Sequence, residues 1–203
     1  NLKYRVEEIS PALGQKEIFK ISGQKQLPVI MDENGQIISD SSTICEYIDT
    51  KNTNNSLFPS DPILLSQSKI IEDWADTTMA SVCKQALIKS ALENPQLRAA
   101  LLPNELPSSI RGIFEKLPFN NLSKISNVVL SNKSNIELQK ILESLSKSLI
   151  NKKFIIGESL TIADISIAAQ LSLLKFPTSS GPILAGEGCQ EYINNPYLEN
   201  LFN

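Results

Sequence analysis

Histidine is absent from the 203-residue chain, and with it go Ser-His-Asp and Cys-His catalysis, imidazole general bases and every histidine-containing zinc site. Cysteine is scarce. Cys45, Cys83 and Cys189 are odd in number, far apart and never in Cys-x-x-Cys spacing, so neither a disulfide framework nor a thiolate metal site is supported. No metal is expected, and a reducing cytoplasm is the expected compartment. Charge of one sign is also lacking: 19 basic against 22 acidic side chains leave a net charge of −3. The lysines are scattered rather than gathered on one face, so no nucleic-acid partner is expected. Long apolar runs are missing too, since the stretch Ile162 to Leu174 is interrupted by Asp164, Ser166, Gln170 and Ser172. It falls short of the ~20 residues that a membrane span requires. What remains is a chain 41% hydrophobic and 20% charged, with enough apolar side chains for a core and a length that suits two small domains.

Tyr4 to Glu8 alternates apolar and polar, which predicts a strand broken by Ser10-Pro11. Ala12, Leu13, Glu17, Ile18 and Phe19 predict a short helix after Pro11, ended by Ser22-Gly23. Leu27-Pro28-Val29-Ile30-Met31, the turn Asp32-Glu33-Asn34-Gly35 and Ile37-Ile38 predict a β-hairpin, because Asn and Gly both tolerate positive φ. Asp40-Ser41-Ser42 then supplies N-caps for a helix running to about Asn52. The Asn-, Ser- and Pro-rich stretch from Lys51 to Pro62 is read as the domain linker.

The rest is predicted helical. Ile63, Ile70 and Trp74 form one stripe and Ile71, Ala75, Met79, Val82 and Ala86 a second, so the helix is expected to pack on two sides. Prolines 95, 103, 107 and 118 break the middle of the chain. Ser134-x-x-Glu137 predicts a capping box ahead of the face Leu138, Ile141, Leu142, Leu145 and Leu149. Thr161 and Asp164 predict a second box, structural in role, with Leu160 stapled on Ile165, opening a helix apolar nearly all round and therefore central. Cys45 and Cys83 are expected in the core and Cys189 in an exposed Gly-rich tail. Tyr47 is expected in the core or at a domain interface.

In this order, Gln26-Leu27-Pro28-Val29, Asp40-Ser41-Ser42-Thr43-Ile44, Phe154-Ile155-Ile156-Gly157 and Leu160-Thr161-Ile162-Ala163-Asp164 resemble the cytosolic glutathione transferases, and the resemblance runs over nearly the whole chain. It implies an α/β thioredoxin-like domain, residues 1–57 and incomplete at its start, followed by an all-α helical bundle domain, residues 62–203. It implies a cis Pro28, with the Leu27 backbone pairing with the cysteinyl part of glutathione. Ser41 and the helix N-terminus would take the γ-glutamyl carboxylate, and Asp40 the ammonium. Lys25 and Gln26 would lie near the glycyl carboxylate. Trp74, Thr78 and Val82 would line the electrophile pocket, together with the irregular region Asn94 to Asn135.

The resemblance further implies a homodimer, and conjugation of the glutathione thiolate to a small apolar electrophile, with glutathione as co-substrate. The thiol-activating Tyr, Ser or Cys would lie in a first strand and helix ahead of Asn1, so no catalytic residue is assigned. Two other functions keep the fold: a non-enzymatic interaction or glutathione-binding module, and a glutathione-dependent thiol reductase or isomerase, which needs a cysteine in that preceding helix.

Overall fold

The computed structural model describes residues 3–7, 9, 14–51, 55–102, 109, 112, 116 and 132–202. The chain divides into two compact units, Asn1–Ser56 and Leu57–Asn203.

In the first unit, α1 (Gln15–Ser22) ends where Gly23 takes a left-handed φ of 74° and its N–H returns to the Phe19 carbonyl at 2.9 Å. Glycine adopts that conformation without a Cβ clash. The expected start of this helix, residues 11–13, lies outside the described residues. Strands β1 (Val29–Met31) and β2 (Ile37–Ser39) pair antiparallel, Val29 opposite Ser39 and Met31 opposite Ile37. Of the Asn34-Gly35 pair, only Gly35 takes positive φ, at 80°. The connection is therefore longer than a two-residue mirror turn. Asp32 organises it: its carbonyl accepts the Gly35 N–H at 3.1 Å, and its Oδ1 accepts the N–H groups of Asn34 (2.9 Å) and Gln36 (2.8 Å).

Helix α2 (Ser41–Lys51) packs on both strands and α1 on β2. Their common core is Ile18, Ile38 and Ile44, each 5 to 6% exposed, and burial of such a side chain is worth roughly 1.5–3 kcal/mol.

The strand predicted over Tyr4 to Glu8 does not form. Residues 3–7 are irregular, Tyr4 and Val6 are 85% and 69% exposed, and the described sheet consists of β1 and β2. Alternation supplies a strand with two faces but not with a ladder partner, and an unpaired strand has no hydrogen bonds to hold it. Glu8 lies outside the described residues.

The second unit is helical: α3 (Pro62–Trp74), a π turn (Ala75–Met79), α4 (Ala80–Glu93), α5 (Pro95–Ala100), α6 (Asn132–Ser148), α7 (Ile162–Leu171) and α8 (Pro196–Phe202). Three helices begin with the same device, an Asp or Asn followed by proline. Asp61 accepts the N–H groups of Ile63 and Leu64 at 2.8 and 2.9 Å, Asn94 those of Gln96 and Leu97 at 2.9 and 3.2 Å, and Asn195 those of Tyr197 and Leu198 at 3.0 and 3.3 Å. Proline at the first helical position has no N–H to leave unpaired, so the carboxamide or carboxylate serves the next two. Pro95, expected to break the chain, in fact starts a helix.

The core gathers Ala75, Met79, Val82, Cys83 and Ala86 of the π turn and α4 against Leu138, Leu142 and Leu145 of α6, Ile167 and Leu171 of α7, and Cys189, Tyr192 and Leu198 near the chain end. α3 and α4 each pack on α7, and α6 packs on α4 and α8.

Several expectations are corrected in this unit. The stripe Ile63 and Ile70 is 68% exposed at each position, so α3 is buried on one side only. α7 is not enclosed either, since Ile165, Ala168 and Ala169 are exposed; Leu160 and Ile165 keep 46% and 37% exposure where a staple would bury them. α6 starts at Asn132, ahead of the expected Ser134, whose side chain lies outside the described ones.

Cys189 is fully buried rather than exposed. The chain returns on itself there: Phe176 N–H reaches the Glu187 carbonyl at 2.8 Å and Cys189 N–H the Leu174 carbonyl at 2.9 Å. A Cβ on Gly188 would lie 2.2 Å from the Leu174 oxygen, so glycine alone permits the close approach that drives Cys189 into the core.

Candidate functional site

The hairpin register decides which of the candidate residues meet. The ladder ends at Val29 opposite Ser39, so Pro28 and Asp40 adjoin it at the end of the hairpin away from its turn. Leu27-Pro28 and Asp40-Ser41 thus share one end of the first unit. The Leu27–Pro28 peptide is cis, and Lys25, Gln26, Leu27, Pro28, Asp40 and Ser41 are all exposed. The Gln26 carbonyl accepts from the Gln24 side chain at 3.4 Å.

Asp40 is the N-cap of α2 and a backbone outlier. Its φ is 77°, a region a non-glycine residue seldom occupies outside functional or tightly constrained positions. Its Oδ1 accepts the Thr43 N–H at 3.1 Å and the Thr43 hydroxyl at 3.2 Å, while its carbonyl accepts the Ile44 N–H at 2.9 Å. The first-turn N–H groups of Ser41 and Ser42 have no acceptor within the helix. They and the Ser41 hydroxyl form a cluster of donors at the positive end of the α2 dipole, suited to a carboxylate.

Sequence reading missed the tie that fixes α2 against the hairpin. The Tyr47 hydroxyl donates to Asp32 Oδ2 at 2.7 Å, and Lys51 Nζ sits 5.1 Å from the centre of the Tyr47 ring. Tyr47 is thus a half-buried brace within the first unit. The bond to Tyr47, then the Gln36 and Asn34 N–H groups, hold the Asp32 carboxyl below its ordinary 3.8, against a smaller desolvation effect; the same bond to Asp32 raises Tyr47. The signal was present in sequence, as an Asp opening an Asn-Gly turn fifteen residues before a helical tyrosine.

Trp74, Thr78 and Val82 do not share a face. Trp74 is half-buried against the core, Thr78 is exposed, and Val82 is a core residue 5% exposed. Spacing of four keeps residues on one side of an α-helix only, and the π turn over Ala75–Met79 widens the winding between them. Most of the irregular region expected to complete this pocket, residues 103–131, lies outside the described residues.

Thr161 and Asp164 form their capping box, with Asp164 as its centre. Its carboxylate accepts the Thr161 N–H at 2.9 Å, the Thr161 hydroxyl at 2.8 Å and the Ile155 N–H at 2.7 Å. Burial pushes the Cys83 thiol up to about 12 and Cys189 up to about 11. Neither is a thiolate near neutral pH, so neither is a nucleophile. Among the described residues, no cluster of three or more His, Cys, Asp or Glu is placed to hold a metal, and no helix is long and apolar enough to cross a membrane.

Residues 1–56 match the family described as glutathione S-transferase, N-terminal domain. A stretch of 88 residues is 31% identical to glutathione S-transferase U3 of Arabidopsis thaliana and covers 40% of this chain. The similarity to glutathione S-transferases is thus carried in sequence by the first unit and by one stretch of 88 residues. The chain's fold is similar to the crystal structure of a glutathione S-transferase from Rhodospirillum rubrum F11 with a TM-score of 0.55 and 18% identity, over 92% of this chain and 74% of that one. The match to the Arabidopsis relative spans 39% of that protein's length. A thioredoxin-like first domain and a helical second domain are thus the architecture of this chain.

Proposed function

We propose that the chain is a glutathione transferase, joining the thiolate of glutathione to a small apolar electrophile in a detoxifying reaction. One observation carries the reading: the β1–β2 ladder ends at Val29 opposite Ser39, so Leu27-Pro28 and Asp40-Ser41 adjoin the same end of the hairpin, where a strand-like edge and a carboxylate cradle would face one small peptide. Leu27 would pair its backbone with the cysteinyl part as an added strand. Ser41 and the open N–H groups of α2 would hold the γ-glutamyl carboxylate.

Asp40 would take the ammonium through Oδ2, because Oδ1 is occupied by Thr43. Lys25 and Gln26, one turn of chain upstream of β1, would approach the glycyl carboxylate. Trp74 and Thr78 would border the electrophile, while Val82 supports them from the core. The thiolate attacks the electrophilic atom, the new carbon–sulfur bond forms as the leaving group departs or the electrophile's π bond accepts the electron pair, and the thiol proton passes to solvent. A cytoplasmic homodimer is part of this reading, with the exposed Ile63 and Ile70 available to subunit contact.

Calorimetric titration of glutathione into the protein and its Ser41→Ala variant tests the proposal. The variant removes a hydroxyl donor to a carboxylate, and affinity is expected to fall by ~1 to 3 kcal/mol. Absence of binding by a folded parent would overturn the transferase reading and leave the interaction-module alternative.

A further inference from the structure

We propose that a bound water molecule joins α3 to α7, held by Ser68, Glu72 and Ser166. Two anchors fix how these helices align. Near the start of α3, a Cβ on Gly157 would lie 3.6 Å from Leu64 Cδ1. Beyond its end, the Gln170 side chain donates to Asp76 Oδ1 at 3.3 Å.

Residue numbers rise together from one anchor to the other, so the helices run parallel. One turn back from Asp76 and Gln170 come Glu72 and Ser166, which therefore sit level with each other, and one turn back again comes Ser68. All three are polar and buried, at 8%, 9% and 0% exposure respectively.

The Ser68 hydroxyl is a buried group without a hydrogen-bond partner. Such groups are rare because desolvation without a bond costs about 1–3 kcal/mol. Ser68 and Glu72 are one helical turn apart, with Cβ atoms separated by about 5–6 Å, a gap suited to a single bridging molecule. A water there accepts the Ser68 O–H and donates to the Glu72 carboxylate and to Ser166 Oγ. That meets the two to four polar partners a buried water needs. An apolar occupant would leave Ser68 Oγ unpaired. The site is independent of the glutathione reading, since it lies wholly within the second unit.

A high-resolution crystal structure of the protein, paired with a double-mutant cycle of Ser68→Ala and Glu72→Gln followed by urea unfolding, tests the assignment. Expected are density for an ordered water within hydrogen-bond distance of Ser68 Oγ and Glu72, and non-additive variants, the double change in unfolding constant falling short of the product of the single changes by roughly three-fold or more. Direct donation from Ser68 to a main-chain carbonyl or to Glu72, or strictly additive variants, would overturn it. Both substitutions are near-isosteric, so a folded protein is available for each corner of the cycle.

Discussion

Tyr47 and Asp32 show how much one bond between distant residues can settle. The hairpin turn is built by Asp32, α2 is started by Asp40, and the Tyr47 hydroxyl connects the two at 2.7 Å. Because that bond is the first cause lowering the Asp32 carboxyl below 3.8, Tyr47→Phe is expected to let it climb back toward that value, read directly by NMR titration of the Asp32 side chain. An unchanged titration would remove Tyr47 as the cause.

The sign of the pH effect follows from the two directions. A lowered carboxyl contributes stability that is present above 3.8 and is lost as pH falls through the folded value. A raised phenol contributes stability that is present below 10 and is lost as pH rises through the folded value. At this scale the sequence was informative where the chemistry is local. Asp40 as a cap and Gly23 as a stop follow from their own side chains, whereas the partner of Tyr47 depends on a fold that brings residue 47 over residue 32.

Among whole elements, capping separates what was legible from what was not. Thr161-x-x-Asp164 could be read in sequence because a capping box closes within one turn. The third donor to Asp164, the Ile155 N–H at 2.7 Å, could not, because it arrives from outside the helix. The extra donor also makes this cap more costly to lose than an exposed one. Asp61→Ala, at an exposed start, is expected to cost about 1 kcal/mol. Asp164→Ala strands the N–H and hydroxyl of Thr161, which is 2% exposed, and is expected to cost about 2–3 kcal/mol.

Urea midpoints at constant m-value check both, and equal losses would deny Asp164 its third role. The π turn was the least legible element. Its residues Ala75–Met79 read as ordinary helix, and no proline or glycine within them marks the extra winding.

Over the molecule, division into a mixed first unit and a helical second one was visible from the change of periodicity near residue 60, while the placement of buried groups was not. Cys189 was misjudged because its neighbours are glycines, which suggest exposure; the structure uses Gly188 for the opposite purpose, to let the chain pass within contact of Leu174. The result is a second-unit core containing Cys83, Cys189 and Tyr192, all of which burial raises above their ordinary values. For each, the neutral form is favoured in the folded state, so its contribution is complete below the unfolded value and is lost as pH rises.

For the thiols the window is set by an ordinary value of 9.0 and folded values of about 12 and about 11. Above pH 9 the unfolded chain ionises first and gains relative to the folded one. Global stability, measured by urea unfolding at a series of pH values, is expected to decline between about pH 9 and pH 12. Cys83→Ala is expected to make that decline shallower even though it lowers stability at pH 7 by leaving a small cavity. A decline of unchanged steepness in Cys83→Ala would show that ionisation of this thiol does not limit the alkaline stability of the core.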